Sequence, residues 1–182
     1  MKSLILGGVK SGKSRYAENS VKDFLAKNTL ADDAVCLIAT AQALDEAMHQ
    51  RIVKHKEQRP ENWLIIEEPL NLARAIIEAE KTTKIILIDC LTLWLTNLLM
   101  LEDEAKLGKA IADFLNAVSK CEVELVIVSN ETNMGIMPLG SLTRNYCDKA
   151  GSLHQTLAEE CDQVTLVVAG LPLSLKQSIE KE

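Results

Sequence analysis

No stretch of this 182-residue chain approaches the eighteen or so consecutive uncharged apolar residues that a membrane-spanning helix needs, so no span is expected. The opening residues carry one lysine and a short strand-like run, which does not read as a signal peptide, and a cytoplasmic location is expected. There is no excess of basic charge. The 20 Lys and Arg stand against 26 Asp and Glu, a net charge of -6, which argues against nucleic acid as a partner and leaves a small nucleotide as the phosphate-bearing ligand to consider. The five cysteines (Cys36, Cys90, Cys121, Cys147 and Cys161) are odd in number and widely spaced without a Cys-x-x-Cys pair, so neither a disulfide framework nor a zinc cluster is indicated. Aromatic residues make up 3%, too few for an obvious stacking platform. Internal repeats and low-complexity segments are also missing, and 182 residues with 47% hydrophobic content suit a single domain with a sizeable core, spanning 1–182.

What is present is concentrated at the start. Gly7-Gly8-Val9-Lys10-Ser11-Gly12-Lys13-Ser14 follows the apolar run Leu4-Ile5-Leu6 and leads into a helix-favouring segment. The spacing Gly-x4-Gly-Lys-Ser between a strand and a helix is that of a phosphate-binding loop. Backbone N–H groups curl round an anion, Lys13 reaches the outer phosphates, Ser14 meets a magnesium ion, and a helix N-terminus points at the negative charge. A chance Gly-rich turn would not need the Lys13-Ser14 pair.

The rest of the chain alternates strand and helix patterns. Strands are expected at Lys2 to Leu6, Val35 to Ala39, Trp63 to Glu67, Lys84 to Asp89, Leu125 to Val128 and Gln163 to Ala169. Helices are expected at Lys13 to Ala26, Asp45 to Lys56, Leu70 to Glu80, Leu91 to Leu101, Glu104 to Lys120 and Leu142 to Glu160, with a polar tail after Gly170 and Pro172. The continuous apolar strands are those of parallel strands covered on both faces, which gives an α/β fold, a mostly parallel sheet with helices on both faces. Ligands then collect at the carboxyl ends of the strands, where Gly7 to Ser14, Thr40, Asp89 and Asn130-Glu131 fall. Asp89, closing the run Ile85-Ile86-Leu87-Ile88, has the form of a metal-binding strand-end acid; the alternative is a cap for the following helix.

Of the three histidines, His49 and His55 fall on different helix faces, and His154 in the long last helix reads as a surface or interface residue. His55 shares a face with Met48 and Ile52 and stands among Lys54, Lys56 and Arg59. That cationic setting disfavours imidazolium and draws in phosphate, although a solvated basic helix end accounts for the same pattern.

Six segments together resemble a known family: GGVKSGKSRYAE (7–18), IATAQALDEAM (38–48), RIVKHKEQRPENW (51–63), IILIDCLTLWLTNLL (85–99), NETNMGIMP (130–138) and VTLVVAG (164–170). The family is the bifunctional adenosylcobinamide kinase and adenosylcobinamide-phosphate guanylyltransferase of cobalamin biosynthesis. The resemblance implies a phosphate-loop NTPase of RecA-like character and two reactions in one site. ATP or GTP phosphorylates the aminopropanol hydroxyl of adenosylcobinamide. A histidine then takes GMP from GTP, releasing pyrophosphate, and passes it to adenosylcobinamide phosphate to give adenosylcobinamide-GDP. The histidine of the family's H-x-x-x-R-P pattern falls on His55, followed by Arg59-Pro60; Lys54 stands where some relatives carry a first histidine.

The nucleotide contacts implied by the resemblance are Gly7, Gly8, Val9, Lys10, Ser11, Gly12, Lys13 and Ser14, then Ala39, Thr40 and Ala41, then Lys56, Glu57, Gln58 and Arg59, with Glu67 and Asp89. His55 and Lys13 are the implied catalytic residues, and Ser14 and Asp89 the implied Mg2+ ligands. A homo-oligomer is implied too, family members resembling propeller-shaped trimers. Two rival readings need fewer residues. A monofunctional small-molecule kinase uses Lys13, Ser14 and Asp89 and gives His55 no role, and a guanine-nucleotide-binding regulatory module binds without turnover.

Overall fold

The computed structural model describes residues 1–42, 46, 50, 53 and 62–177. Seven strands form one sheet: β1 (Lys2–Gly7), β2 (Val35–Ala39), β3 (Leu64–Glu67), β4 (Ile85–Asp89), β5 (Glu124–Asn130), β6 (Gln163–Val168) and β7 (Leu171–Lys176). Their order across the sheet is β3-β2-β4-β5-β1-β6-β7, with β7 alone antiparallel, paired to β6. Five described helices follow: α1 (Lys13–Asn28), α2 (Leu72–Glu80), α3 (Leu91–Leu99), α4 (Glu104–Lys120) and α5 (Ser141–Glu160).

The central strands β2, β4 and β5 are apolar on both sides because both faces of the sheet are covered there. Ile5, Leu37, Leu87, Val126 and Val128 point to the face where α1 lays down Ala17, Val21 and Leu25. Leu4, Ile38, Ile86, Ile88 and Ile127 point to the other face, against α2, α3, α4 and α5. There Trp94 and Phe114 pack with ring centroids 5.0 Å apart, and the Trp94 indole N–H donates to the Leu70 carbonyl at 2.8 Å. No helix among the described residues is long and apolar enough to cross a membrane.

The tail expected after Gly170 is instead strand β7. Ala169 and Gly170 both take left-handed backbone (φ 52 and 80), which matches the twist of a two-residue hairpin. Pro172 is tolerated because β7 is an edge strand, where a missing N–H costs no ladder bond on the open side. Of the expected helix at Asp45 to Lys56, Glu46, Gln50 and Val53 are helical; its other residues lie outside the described ones, as do His49, His55 and the stop at Arg59-Pro60.

Candidate active site

Strand β1 ends at buried Gly7, and the chain turns at once into α1. Two features of the turn require glycine. A Cβ on Gly7 would lie 2.5 Å from Ser11 Oγ and 2.6 Å from the Val167 carbonyl, and Gly12, at φ 98, is the left-handed N-cap of α1. Because the cap has no side-chain acceptor and the first turn no acidic residue, the leading N–H groups of α1 stay available to an anion. The Lys13 side chain lies 9% exposed across the loop and donates from Nζ to the Gly8 carbonyl at 3.2 Å. Gly8, Val9 and Lys10 are exposed.

Parallel pairing puts the remaining strand ends in one row. Ala39 is in register with both Glu67 and Asp89, Asp89 with Val128, and Gly7 with Asn130. Strand β5 therefore separates the loop strand from the Asp89 strand. Alternation along β4 sends Leu87 toward α1 and Ile88 away, so half-buried Asp89 faces the α1 side, where Lys13 and Ser14 begin their helix. No described residue hydrogen-bonds its carboxylate. The cap alternative fails: Cys90 is the N-cap of α3 and makes no side-chain cap bond.

Behind Asp89, fully buried Thr40 grips the next residue. Its hydroxyl donates to the Cys90 carbonyl at 2.7 Å and accepts from the Cys90 N–H at 3.1 Å. Asn97 in turn donates to the Thr40 and Pro69 carbonyls at 2.9 and 3.1 Å, tying the exits of β2 and β3 to α3. The Cys90 thiol is pushed up to about 11, first by burial and then by the Asp89 charge, with the Leu93 backbone, the Thr92 side chain and, least, Lys13 pulling the other way. It stays a thiol at neutral pH. All five cysteines are free.

One cluster escaped the sequence reading. His154 is not a surface residue: it is 8% exposed, its Nε2 is 2.8 Å from Ser129 Oγ, and its Nδ1 is 3.9 Å from Glu131 Oε2. Burial lowers its pKa while Glu131 opposes the shift. The sign was in the spacing, since Cys147, Ala150, His154 and Leu157 form one helical stripe whose other three members are core residues. The Glu131 N–H donates to the Gly7 carbonyl at 3.0 Å, so this cluster abuts the root of the phosphate loop. Glu67 ends β3 on the same edge, and Ala39 to Ala41 run off β2 beside Asp89. The proposed nucleophile His55 and its neighbours Lys54, Lys56, Glu57, Gln58 and Arg59 lie outside the described residues.

The family model described as cobinamide kinase / cobinamide phosphate guanyltransferase matches residues 3–175. The chain is 47% identical over 176 residues to the bifunctional adenosylcobalamin biosynthesis protein CobP of Pseudomonas aeruginosa PAO1, covering 97% of this chain and 98% of that protein. It is 33% identical over 189 residues to the corresponding CobU of Escherichia coli K12, covering 97% and 100%. Among solved structures, a KaiC-like protein of Pyrococcus horikoshii OT3 superposes with a TM-score of 0.53 at 14% identity over 91% of this chain and 69% of that one, a likeness of fold. A match along nearly the whole length, both to the family and to its curated members, means that the chain belongs to the cobinamide kinase / cobinamide phosphate guanyltransferase family.

Proposed function

We propose that residues 1–182 act as one catalytic domain in which a single nucleotide site serves two displacements, with Lys13 and the 7–14 loop gripping the phosphate tail and His55 attacking at the α-phosphorus. The chain is an enzyme of the kinase and guanyltransferase family. The observation that carries the one-site reading is the convergence of the phosphate loop and Asp89 on the same edge and the same face of the sheet.

In the kinase step the aminopropanol hydroxyl of adenosylcobinamide attacks the γ-phosphorus of ATP or GTP, and the bond to the β–γ bridging oxygen breaks. Phosphoryl transfer asks the protein chiefly to position groups and offset charge, which Lys13 and the loop amides do. In the guanylyl step a nitrogen of neutral His55 bonds to the α-phosphorus of GTP and pyrophosphate leaves. A phosphate oxygen of adenosylcobinamide phosphate then displaces the imidazole, giving adenosylcobinamide-GDP. Splitting the transfer in two suits a nucleophile flanked by Lys54, Lys56 and Arg59, which keep the ring neutral and offset phosphate charge. Ala39 to Ala41, Lys56 to Arg59 and Glu67 complete the nucleotide contacts.

The hydroxyl of Ser14 and the carboxylate of Asp89, which accepts no hydrogen bond among the described residues, are hard oxygen donors of the kind magnesium takes alongside waters and phosphate oxygens. When bound there, the ion offsets charge on the β- and γ-oxygens. The five unpaired thiols suit a reducing compartment, and the cytoplasm is the proposed location. Homo-oligomerisation is supported by apolar side chains left in solvent, Ile136 (99% exposed), Leu139 (95%) and Met134 before α5, and Leu171, Leu173 and Leu175 on β7, and the trimer is the state that the family resemblance implies. Purified protein incubated with adenosylcobinamide, magnesium and GTP tests the reading. Mass spectrometry should find both the phosphorylated and the GDP-linked product. The first alone would leave a kinase, and neither would favour a binding module.

A further inference from the structure

The turn between β6 and β7 touches the phosphate loop, and no step of the chemistry above uses it. The Gly170 N–H donates to the Ser11 carbonyl at 2.8 Å. A Cβ on Gly12 would lie 3.1 Å from Gly170 Cα, so the two backbones pack directly on each other. The Val167 carbonyl, three residues earlier, stands where a Cβ on Gly7 would point. The floor of the loop is thus built from the C-terminal hairpin as well as from β1.

The bond to Ser11 has a definite effect on the loop. In a trans peptide the C=O and the following N–H point in opposite directions. Holding the Ser11 carbonyl outward against Gly170 therefore turns the Gly12 N–H inward, the orientation a phosphate cradle requires. Released, the same peptide could rotate its carbonyl oxygen toward the anion. We propose that the β6–β7 turn braces the phosphate loop and that Gly170 is a positioning residue for nucleotide binding. The left-handed backbone at Ala169 (φ 52) and Gly170 (φ 80) closes the turn that presents this N–H, and open space surrounds the missing side chain of Gly170, so the demand there is on backbone conformation rather than volume.

The inference rests on residues 7–14 holding the triphosphate, and the test separates the two. The full chain is titrated with a fluorescent GTP analogue and magnesium as wild type, Lys13→Ala, Gly170→Asn, Gly170→Ala and Gly170→Val, with thermal unfolding and kinase kcat measured on each. Asparagine adopts left-handed backbone with little strain, alanine less readily, and valine least. Gly170→Val should raise the dissociation constant at least tenfold with kcat at saturating nucleotide within threefold, Gly170→Ala should fall between, and Gly170→Asn should bind within threefold of wild type. If Gly170→Val fails to fold, the order of Asn and Ala carries the result. Binding unchanged in folded Val and Ala variants, equal weakening by Asn and Ala, or a loss of kcat in step with affinity would overturn the brace. Wild-type binding that Lys13→Ala does not weaken would overturn the loop assignment itself.

Discussion

Gly7→Ala is the substitution for which the geometry makes the sharpest statement. The new methyl would sit 2.5 Å from Ser11 Oγ, 3.3 Å from Ser11 Cβ and 2.6 Å from the Val167 carbonyl. The hydroxyl can rotate away. The carbonyl cannot, because Val167 is held in β6 as the register partner of Gly7. Overpacking of this kind costs about 1–3 kcal/mol, and a clash with paired backbone belongs at the upper end. At about 2 kcal/mol or more, a chain of this length should melt roughly 4–8 °C lower. Gly8→Ala is the control: its Cβ meets nothing within 4 Å, and its effect on stability should stay within about 0.5 kcal/mol. Ser11→Ala separates the two clashes, since Ser11 Oγ is buried without a hydrogen-bond partner and its removal should be tolerated in the apo protein. The double variant Gly7→Ala/Ser11→Ala should recover part of the loss, a coupling of about 0.5 kcal/mol or more, and leave the part due to Val167. Urea unfolding of the four proteins gives the energies, and nucleotide titration follows the loop. Equal stability of the Gly7→Ala and Gly8→Ala proteins, or strict additivity in the double variant, would refute the reasoning.

Thr40→Val keeps the shape of a fully buried side chain while stranding the Cys90 N–H; the Cys90 carbonyl keeps the Trp94 N–H at 3.4 Å. One unsatisfied group costs about 1–3 kcal/mol, so urea unfolding should show a loss of that size; a change below about 0.5 kcal/mol would contradict the assignment. His154 gives a pH dependence. Burial puts its folded pKa below the ordinary 6.5, so as pH falls the unfolded chain takes up the proton first. The stability tied to neutral His154 is therefore complete above about pH 6.5 and is lost as pH falls from there toward the lower folded value. His154→Gln should flatten urea midpoints across pH 7.5 to 5.5, and a variant as pH-sensitive as wild type would exclude His154 as the cause.

Much of the fold could be read in one dimension because parallel strands covered on both faces leave unbroken apolar runs, as at Val35 to Ala39, Ile85 to Ile88 and Leu125 to Val128. The phosphate loop was legible for a different reason, since Gly7, Gly12, Lys13 and Ser14 each answer a separate steric or chemical demand. Strand β7 was not. Its leucines alternate with Pro172, Ser174 and Lys176, and the Ala169-Gly170 turn lacks the Asn-Gly or Asp-Gly pair that marks a tight hairpin most strongly. Nor does spacing along the chain say that β5 lies between β1 and β4, which is what brings Glu131 and His154 beside Gly7. The polarity of His154 obscured its place in an apolar stripe until Ser129 was seen opposite its ring.

The central claim, one nucleotide site with two displacements, is tested most directly by incubating wild type and His55→Ala with α-labelled GTP and magnesium, denaturing both, and counting the label that stays on the protein. Label on wild type and none on His55→Ala, with corrinoid phosphorylation from γ-labelled GTP retained in both, is the predicted result. Label held equally by His55→Ala, or absent from wild type that still phosphorylates the corrinoid, would contradict it.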